Sequence, residues 1–140
     1  MHPKQKGDIG ATAVSLEFMK NDWAVFMDLG DLSKIDLIAE KGGKLLRIQV
    51  KARHRKNGSL TLKTTKSGPN YRFSYDQEMF DYFALVDLDT YECYLVPSSI
   101  CGEMKTFTLR LDDKPVIDGK NRKSYSAKEY EFEKVLKEIA

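Results

Sequence analysis

Two runs in which apolar residues alternate with polar ones face each other across Lys41-Gly42-Gly43, one from Lys34 to Glu40 and the other from Leu45 to Arg53. A period of two is that of a half-buried strand, and paired glycines suit the positive φ of a tight turn. A β-hairpin is therefore the element around which the rest of the chain must be built. Successive side chains of a strand leave opposite faces, so Gln49 and Lys51 project together while Val50 turns into the core. A short turn after Glu40 places Asp36 on the neighbouring strand, near Gln49. One carboxylate, one amide and one ammonium thus share a face.

The flanking patterns supply the architecture. Residues 7–21 carry Ile9, Ala13, Leu16 and Met19 at helical spacing, with Asp8 near the helix N-terminus and a polar, frayed start before it. Residues 23–27 read as a strand, followed by a loop through Gly30 and Asp31. Asn57-Gly58 signals a second hairpin, joining the basic strand to residues 60–64. Residues 65–75, with Gly68-Pro69, read as a long loop. Residues 80–86 and 92–96 read as buried strands, and 107–111 as an edge strand. Ser126 is placed to cap a helix over 127–139, with Glu129 three residues on. Helix, strands, helix predicts an α/β fold, a mixed central β-sheet flanked by helices. At 140 residues, residues 1–140 are expected to form a single domain.

The formal charge is only +2, but its distribution is uneven. No Asp or Glu occurs from Lys41 to Tyr75, where Lys41, Lys44, Arg47, Lys51, Arg53, Arg55, Lys56, Lys63, Lys66 and Arg72 all fall. Such segregation predicts a polyanion-binding surface; the alternative is a solvated basic face without a partner. Arg53, Arg55 and Lys56 extend the second strand of the hairpin, and Lys63 and Lys66 lie on the return. A two-stranded ribbon of this kind is narrow enough to enter a major groove of double-stranded DNA. Lys34 and Arg72 complete the candidate DNA contacts, with Thr61, Thr64, Thr65, Ser67, Asn70 and Tyr71 as neutral donors. His54 either approaches a phosphate or is simply exposed. Tyr71, Phe73, Tyr75, Phe80, Tyr82 and Phe83 suit core and subunit packing, with base stacking as the alternative. Two cysteines, Cys93 and Cys101, are too few for a disulfide framework and read as reduced thiols. No apolar run reaches the roughly 20 residues that cross a bilayer, and no signal pattern opens the chain. An intracellular, cytoplasmic location is the expectation.

At the hairpin, a carboxylate with amide or backbone carbonyl oxygens suits a hard cation such as Mg²⁺, the donors being Asp36, Gln49 and the Val50 carbonyl. An ion there would polarise a scissile phosphate and acidify an attacking water. Lys51 would orient that water or stabilise the growing negative charge. On spacing alone, a surface strand with alternating polar residues remains the other reading.

Ile35-Asp36 followed by Gln49-Val50-Lys51 resembles the PD-(D/E)XK nuclease motif, with Gln in place of the second acid. Lys6-Gly7-Asp8-Ile9, the string from Leu46 to Lys51, the run from Asp81 to Val86 and Tyr94-Leu95-Val96-Pro97 are similar to one branch. That branch is the group I intron homing endonucleases of PD-(D/E)XK type, known from a cyanobacterial example, and the similarity runs from about residue 6 to 97. The resemblance implies a restriction-endonuclease-like core and sequence-specific double-strand cleavage of DNA. It also implies Mg²⁺ as cofactor, with Mn²⁺ as a substitute and Ca²⁺ non-productive, and a homo-oligomer, dimer or tetramer. Relatives carry a Glu in the first helix where this chain has Ala11. Either a catalytic Glu was replaced deliberately, as is done to trap an uncleaved complex, or the protein is naturally weak or uses Glu17 or Asp8 instead. A structure-specific nuclease resembling Holliday-junction resolvases and a decayed DNA-binding module are the competing functions.

Overall fold

A computed structural model describes residues 1–68, 71–75, 78–101, 105–112 and 124–139, with the backbone alone for 66–68 and 71–74. Helix α1 spans Pro3–Lys20. It starts earlier than the apolar spacing suggests because proline fits a first helical turn, and the His2 ring nitrogen accepts from the Lys4 N–H at 3.1 Å. The expected frayed start is therefore helical, and Asp8 lies inside the helix rather than at its mouth. The buried stripe is Gly10, Val14 and Phe18, joined by Ser15. Leu16 and Met19, expected inward, are more than half exposed. Only Ile9 and Ala13 of the expected face pack against the core.

The central sheet contains β1 (Ala24–Met27), β2 (Leu37–Lys41), β3 (Lys44–Arg53), β7 (Tyr82–Asp87) and β8 (Cys93–Pro97), in the order β1-β2-β3-β7-β8. All neighbours are antiparallel except β3 and β7. The β2–β3 hairpin turns through Gly42 and Gly43, both at positive φ. Between β3 and β7 the chain makes β4 (Ser59–Lys63), β5 (Thr65–Gly68) and β6 (Tyr71–Ser74). It ends with β9 (Thr106–Arg110), β10 (Tyr125–Ser126), a 3₁₀ turn over Ala127–Tyr130 and α2 (Phe132–Ile139).

Each face of the central sheet buries its own core. On one, Val14 and Phe18 of α1 and Phe132, Val135 and Leu136 of α2 pack on Ala39, Ile48, Ala84 and Leu95. On the other, Phe83, Leu85 and Val96 meet Leu60, Leu62, Phe107 and Leu109 from a second sheet ordered β10-β9-β4. Both helices thus share one face, and a small sheet covers the other.

Four expectations change. Asn57-Gly58 does form a tight turn, closed by the Lys56–Ser59 bridge, but β4 then leaves β3 and pairs with β9. The predicted β3–β4 ribbon does not exist. Residues 65–75 are not a long loop: β5 and β6 form a separate antiparallel hairpin. The strand expected over 107–111 is internal to its sheet, not an edge. The C-terminal helix is broken: Glu131 bridges to Tyr94 between the 3₁₀ turn and α2, and the Ser126 side chain makes no capping bond. No described helix is long and apolar enough to cross a membrane. Cys93 and Cys101 are free and buried; burial pushes the Cys93 thiol up to about 12.

Gly10 sets how close α1 comes to β3. A Cβ there would lie 3.0 Å from the Ala52 Cβ and 3.1 Å from a Val50 methyl. Both neighbours are short side chains, so the packing of helix on strand would have to give by a few tenths of an ångström. Gly10→Ala is expected to destabilise the protein by about 1–2 kcal/mol in urea unfolding, overpacking outweighing the better helix propensity of alanine. An unchanged or raised midpoint would show that this contact does not set the spacing.

Candidate active site

The site lies where β2 stops short of β3. The last paired residues are Leu37 and Ile48. Asp36, just before β2, donates its N–H to the Ile48 carbonyl at 2.8 Å, so the Ile48 backbone groups face β2. Backbone groups alternate along a strand, so those of Val50 emerge on the same edge, now without a neighbouring strand. The Asp36 carboxylate fills that gap by accepting the Val50 N–H at 2.7 Å. This leaves the Val50 carbonyl on the same open edge.

Gln49 stands opposite Asp36 by extension of the same register. It is only 8% exposed, and its side-chain oxygen is buried without a hydrogen-bond partner among the described residues. A buried amide oxygen left bare costs about 1–3 kcal/mol, so it is a feature to be explained. Burial is also the main influence on Asp36: it raises the carboxyl above the usual carboxylate range, with the Asp31 charge acting in the same direction. The Val50 N–H and the Lys51 ammonium counter it only in part. A hard cation answers both problems, since it takes oxygen donors and stabilises an ionised carboxylate. The donors present fit such an ion: the Asp36 carboxylate, the Gln49 amide oxygen and the Val50 carbonyl. Among the described residues no cluster of three or more His, Cys, Asp or Glu exists that would form a carboxylate-rich alternative.

Lys51 projects from the same face of β3 as Gln49, as the spacing predicts. Its ammonium donates to the Tyr75 hydroxyl at 3.0 Å and sits 4.7 Å from the centre of that ring. Asp36, Gln49, Val50, Lys51 and Arg53 line one cleft of about 790 Å³, and α1 closes its far side with Asp8 and Ala11. Ala11 therefore reaches the site from the helix face while Gln49 and Lys51 come from the other face of the sheet. They meet because the edge of β3 is open, not because they share a face. Glu17 is not part of the cleft: it pairs with Lys20 at 3.2 Å and lies near Cys93. Asp8 is the one α1 carboxylate lining it.

The basic stretch behaves differently in space than in sequence. Arg47 is bound to Asp81, through its N–H at 2.8 Å and its guanidinium at 3.2 Å. Arg55 holds the fully buried Asp87 through two bonds of 3.1 and 2.6 Å. His54 faces Asp89, whose other oxygen takes the Arg55 N–H. Lys41 and Lys44 donate to the backbone carbonyls of Asn21 and Ile139. Arg53 donates to the Ala52 carbonyl at the cleft edge. Lys34, Lys56 and Lys63 are exposed. The side chains of Lys66, Ser67, Tyr71, Arg72 and Phe73, and the whole of Asn70, lie outside the described residues. Lys4 and Lys6, which no spacing argument singled out, line the cleft beside Lys51. Pro3, as a helix-start signal, was the clue that this segment belongs to α1. Tyr75, Phe80 and Phe83 pack edge-to-face in the core.

A carboxylate at the end of one hairpin strand, an amide and an ammonium two residues apart on the next, and a helix closing the cleft define a nuclease-type α/β core. The profile of the PD-(D/E)XK endonuclease family matches residues 1–133, and the chain belongs to this family. The match extends past residue 97, where the resemblance of motifs ends. Among solved structures, the chain is similar to the bacterial homing endonuclease I-Ssp6803I. The TM-score is 0.76 at 23% identity, over 99% of this chain and 96% of the other; at that identity the likeness is one of fold. No curated protein sequence matches the chain.

Proposed function

We propose that this protein is a sequence-specific endodeoxyribonuclease of the homing type, cutting both strands of duplex DNA by Mg²⁺-dependent phosphodiester hydrolysis. The observation that carries the reading is that the buried Gln49 oxygen, without a partner among the described residues, and the Asp36 carboxylate that takes the Val50 N–H belong to residues lining one cleft. Asp36, Gln49 and the Val50 carbonyl would hold the ion, which when bound would supply the charge that polarises the scissile phosphate and acidifies a water, with Mn²⁺ as a substitute and Ca²⁺ non-productive. Lys51 places a positive charge where negative charge develops on the phosphate. Lys4, Lys6 and Arg53 at the cleft, with Lys34, Lys56 and Lys63 beyond it, contact the DNA backbone, and Lys66 and Arg72 are assigned the same role on the sequence alone. Arg55 is assigned to holding Asp87 rather than to DNA.

Two strands need two active sites, so we assign a homo-oligomer, dimer or tetramer. Phe26 and Met27 on the edge strand β1, with Leu29 and Leu32 in the following loop, are exposed and support an apolar subunit contact. The competing reading, a DNA-binding module with a decayed site, is favoured by Ala11 and Gln49 and opposed by the retention of Asp36 and Lys51. Lys51→Ala in an Ala11→Glu background separates the two. The nuclease reading expects cleavage of a selected duplex to fall by about 10²- to 10³-fold with binding nearly unchanged. Equal cleavage by both proteins would remove Lys51 from the reaction. A preference for a four-way junction over every linear duplex would replace homing with junction resolution.

A further inference from the structure

We propose that Tyr75 is the positioning residue for Lys51, and that through it the site is tied to the root of the β5–β6 hairpin. The inference rests on the nuclease reading for its role, but on geometry for its existence. A lysine on a four-carbon stem has many rotamers, and an ammonium that must meet a phosphate at one point needs something to select among them. The Tyr75 hydroxyl does so at 3.0 Å from the ammonium. The ring is itself held: it is 4% exposed and lies edge-to-face against Phe80 and Phe83, each at 6.0 Å between centroids. A phenol with two side-chain torsions, wedged between two buried rings, is a fixed acceptor.

The position of Tyr75 in the chain adds the second part. Its N–H donates to the Thr64 carbonyl, and the Thr64 N–H donates to the Lys105 carbonyl, both at 3.0 Å. Thr65 and Ser74 are the first pair of the β5–β6 hairpin. Tyr75 is thus the residue on which the hairpin is rooted. The candidate site and the root of the hairpin therefore share one residue.

Tyr75→Phe keeps the ring and removes only the hydroxyl, and is best studied in the Ala11→Glu protein. Two readings are taken: the Lys51 side-chain ¹⁵Nζ resonance of the DNA-free protein, and the split between duplex affinity and single-turnover cleavage rate. The proposal expects the resonance to shift and cleavage to fall about 10- to 100-fold with affinity unchanged, the worth of one hydrogen bond to a charged group. Phe107→Leu is the structural control: Phe107 lies in the same core but packs on Tyr125 and Tyr130, so its loss lowers the melting temperature and leaves the resonance in place. If Phe107→Leu moves the resonance as much as Tyr75→Phe does, or if Tyr75→Phe leaves resonance and cleavage unchanged, the proposal is overturned. If the parent protein cuts no duplex at all, the nuclease reading fails separately, and the resonance alone decides whether Tyr75 holds Lys51.

Discussion

Ala11→Glu is expected to raise Mg²⁺-dependent plasmid cleavage by about 10²- to 10⁴-fold, the range a positioned carboxylate contributes as ligand or base. Asp8, Asp28, Asp31 and Asp36 all line the cleft, and Asp36 is the one bonded to the β3 edge, through the Val50 N–H. Ala11 lines the same cleft from α1 and is partly exposed, so a longer side chain has room to point into it. The close approach at Gly10 brings that part of the helix within reach. Glu17 cannot stand in, being committed to Lys20 outside the cleft. The measurement is the rate of supercoiled-plasmid nicking and linearisation in Mg²⁺ for both proteins. Cleavage no faster than that of the chain with Ala11 would mean that no glutamate is missing from this site.

Asp36→Asn is expected to abolish cleavage, by on the order of 10²- to 10³-fold in the Ala11→Glu background, and at the same time to raise thermal stability. The two effects have one cause. Burial lifts the Asp36 carboxyl above its ordinary value of 3.8, so the folded protein favours the neutral acid. Its stabilising share is complete below pH 3.8 and is lost as pH rises through the raised value. At neutral pH the charge is therefore a burden on the fold. Asparagine keeps an oxygen for the Val50 N–H and removes the charge. Without divalent ions its melting temperature should exceed that of the parent at pH 7, and the gap should close towards pH 3.8 or below. Added Mg²⁺ should stabilise the parent and not the variant, because binding to the folded state alone raises apparent stability. A variant less stable than the parent at pH 7 would show that Asp36 is held as an ordinary structural ion rather than as a strained ligand.

Much of this site could be read from local pattern. Alternation about Gly42-Gly43 is enough to build the β2–β3 hairpin, and the two-residue spacing is enough to put Gln49 and Lys51 on one face. The register that brings Asp36 opposite Gln49 follows from turn length. Other features left no local trace. Gly10 carries no hydrophobicity, so the stripe that buries α1 was rotated away from Leu16 and Met19. Tyr75 reads as one aromatic among six; only the packing of Phe80 and Phe83 aims its hydroxyl at Lys51.

Legible in the residues alone are the pair of strands, the side chains of Asp36, Gln49 and Lys51, and the alanine at position 11. These depend on spacing within a few residues, where backbone geometry leaves little freedom. How the charges are used depends on contacts between distant segments. An acid-free run from Lys41 to Tyr75 looks like one basic surface, yet Asp81, Asp87 and Asp89 return from more than thirty residues away to take up Arg47, His54 and Arg55. Tertiary structure likewise sent β4 to β9 instead of β3, since strand pairing between distant segments is settled by which apolar faces can be buried together. Local periodicity does not record that choice.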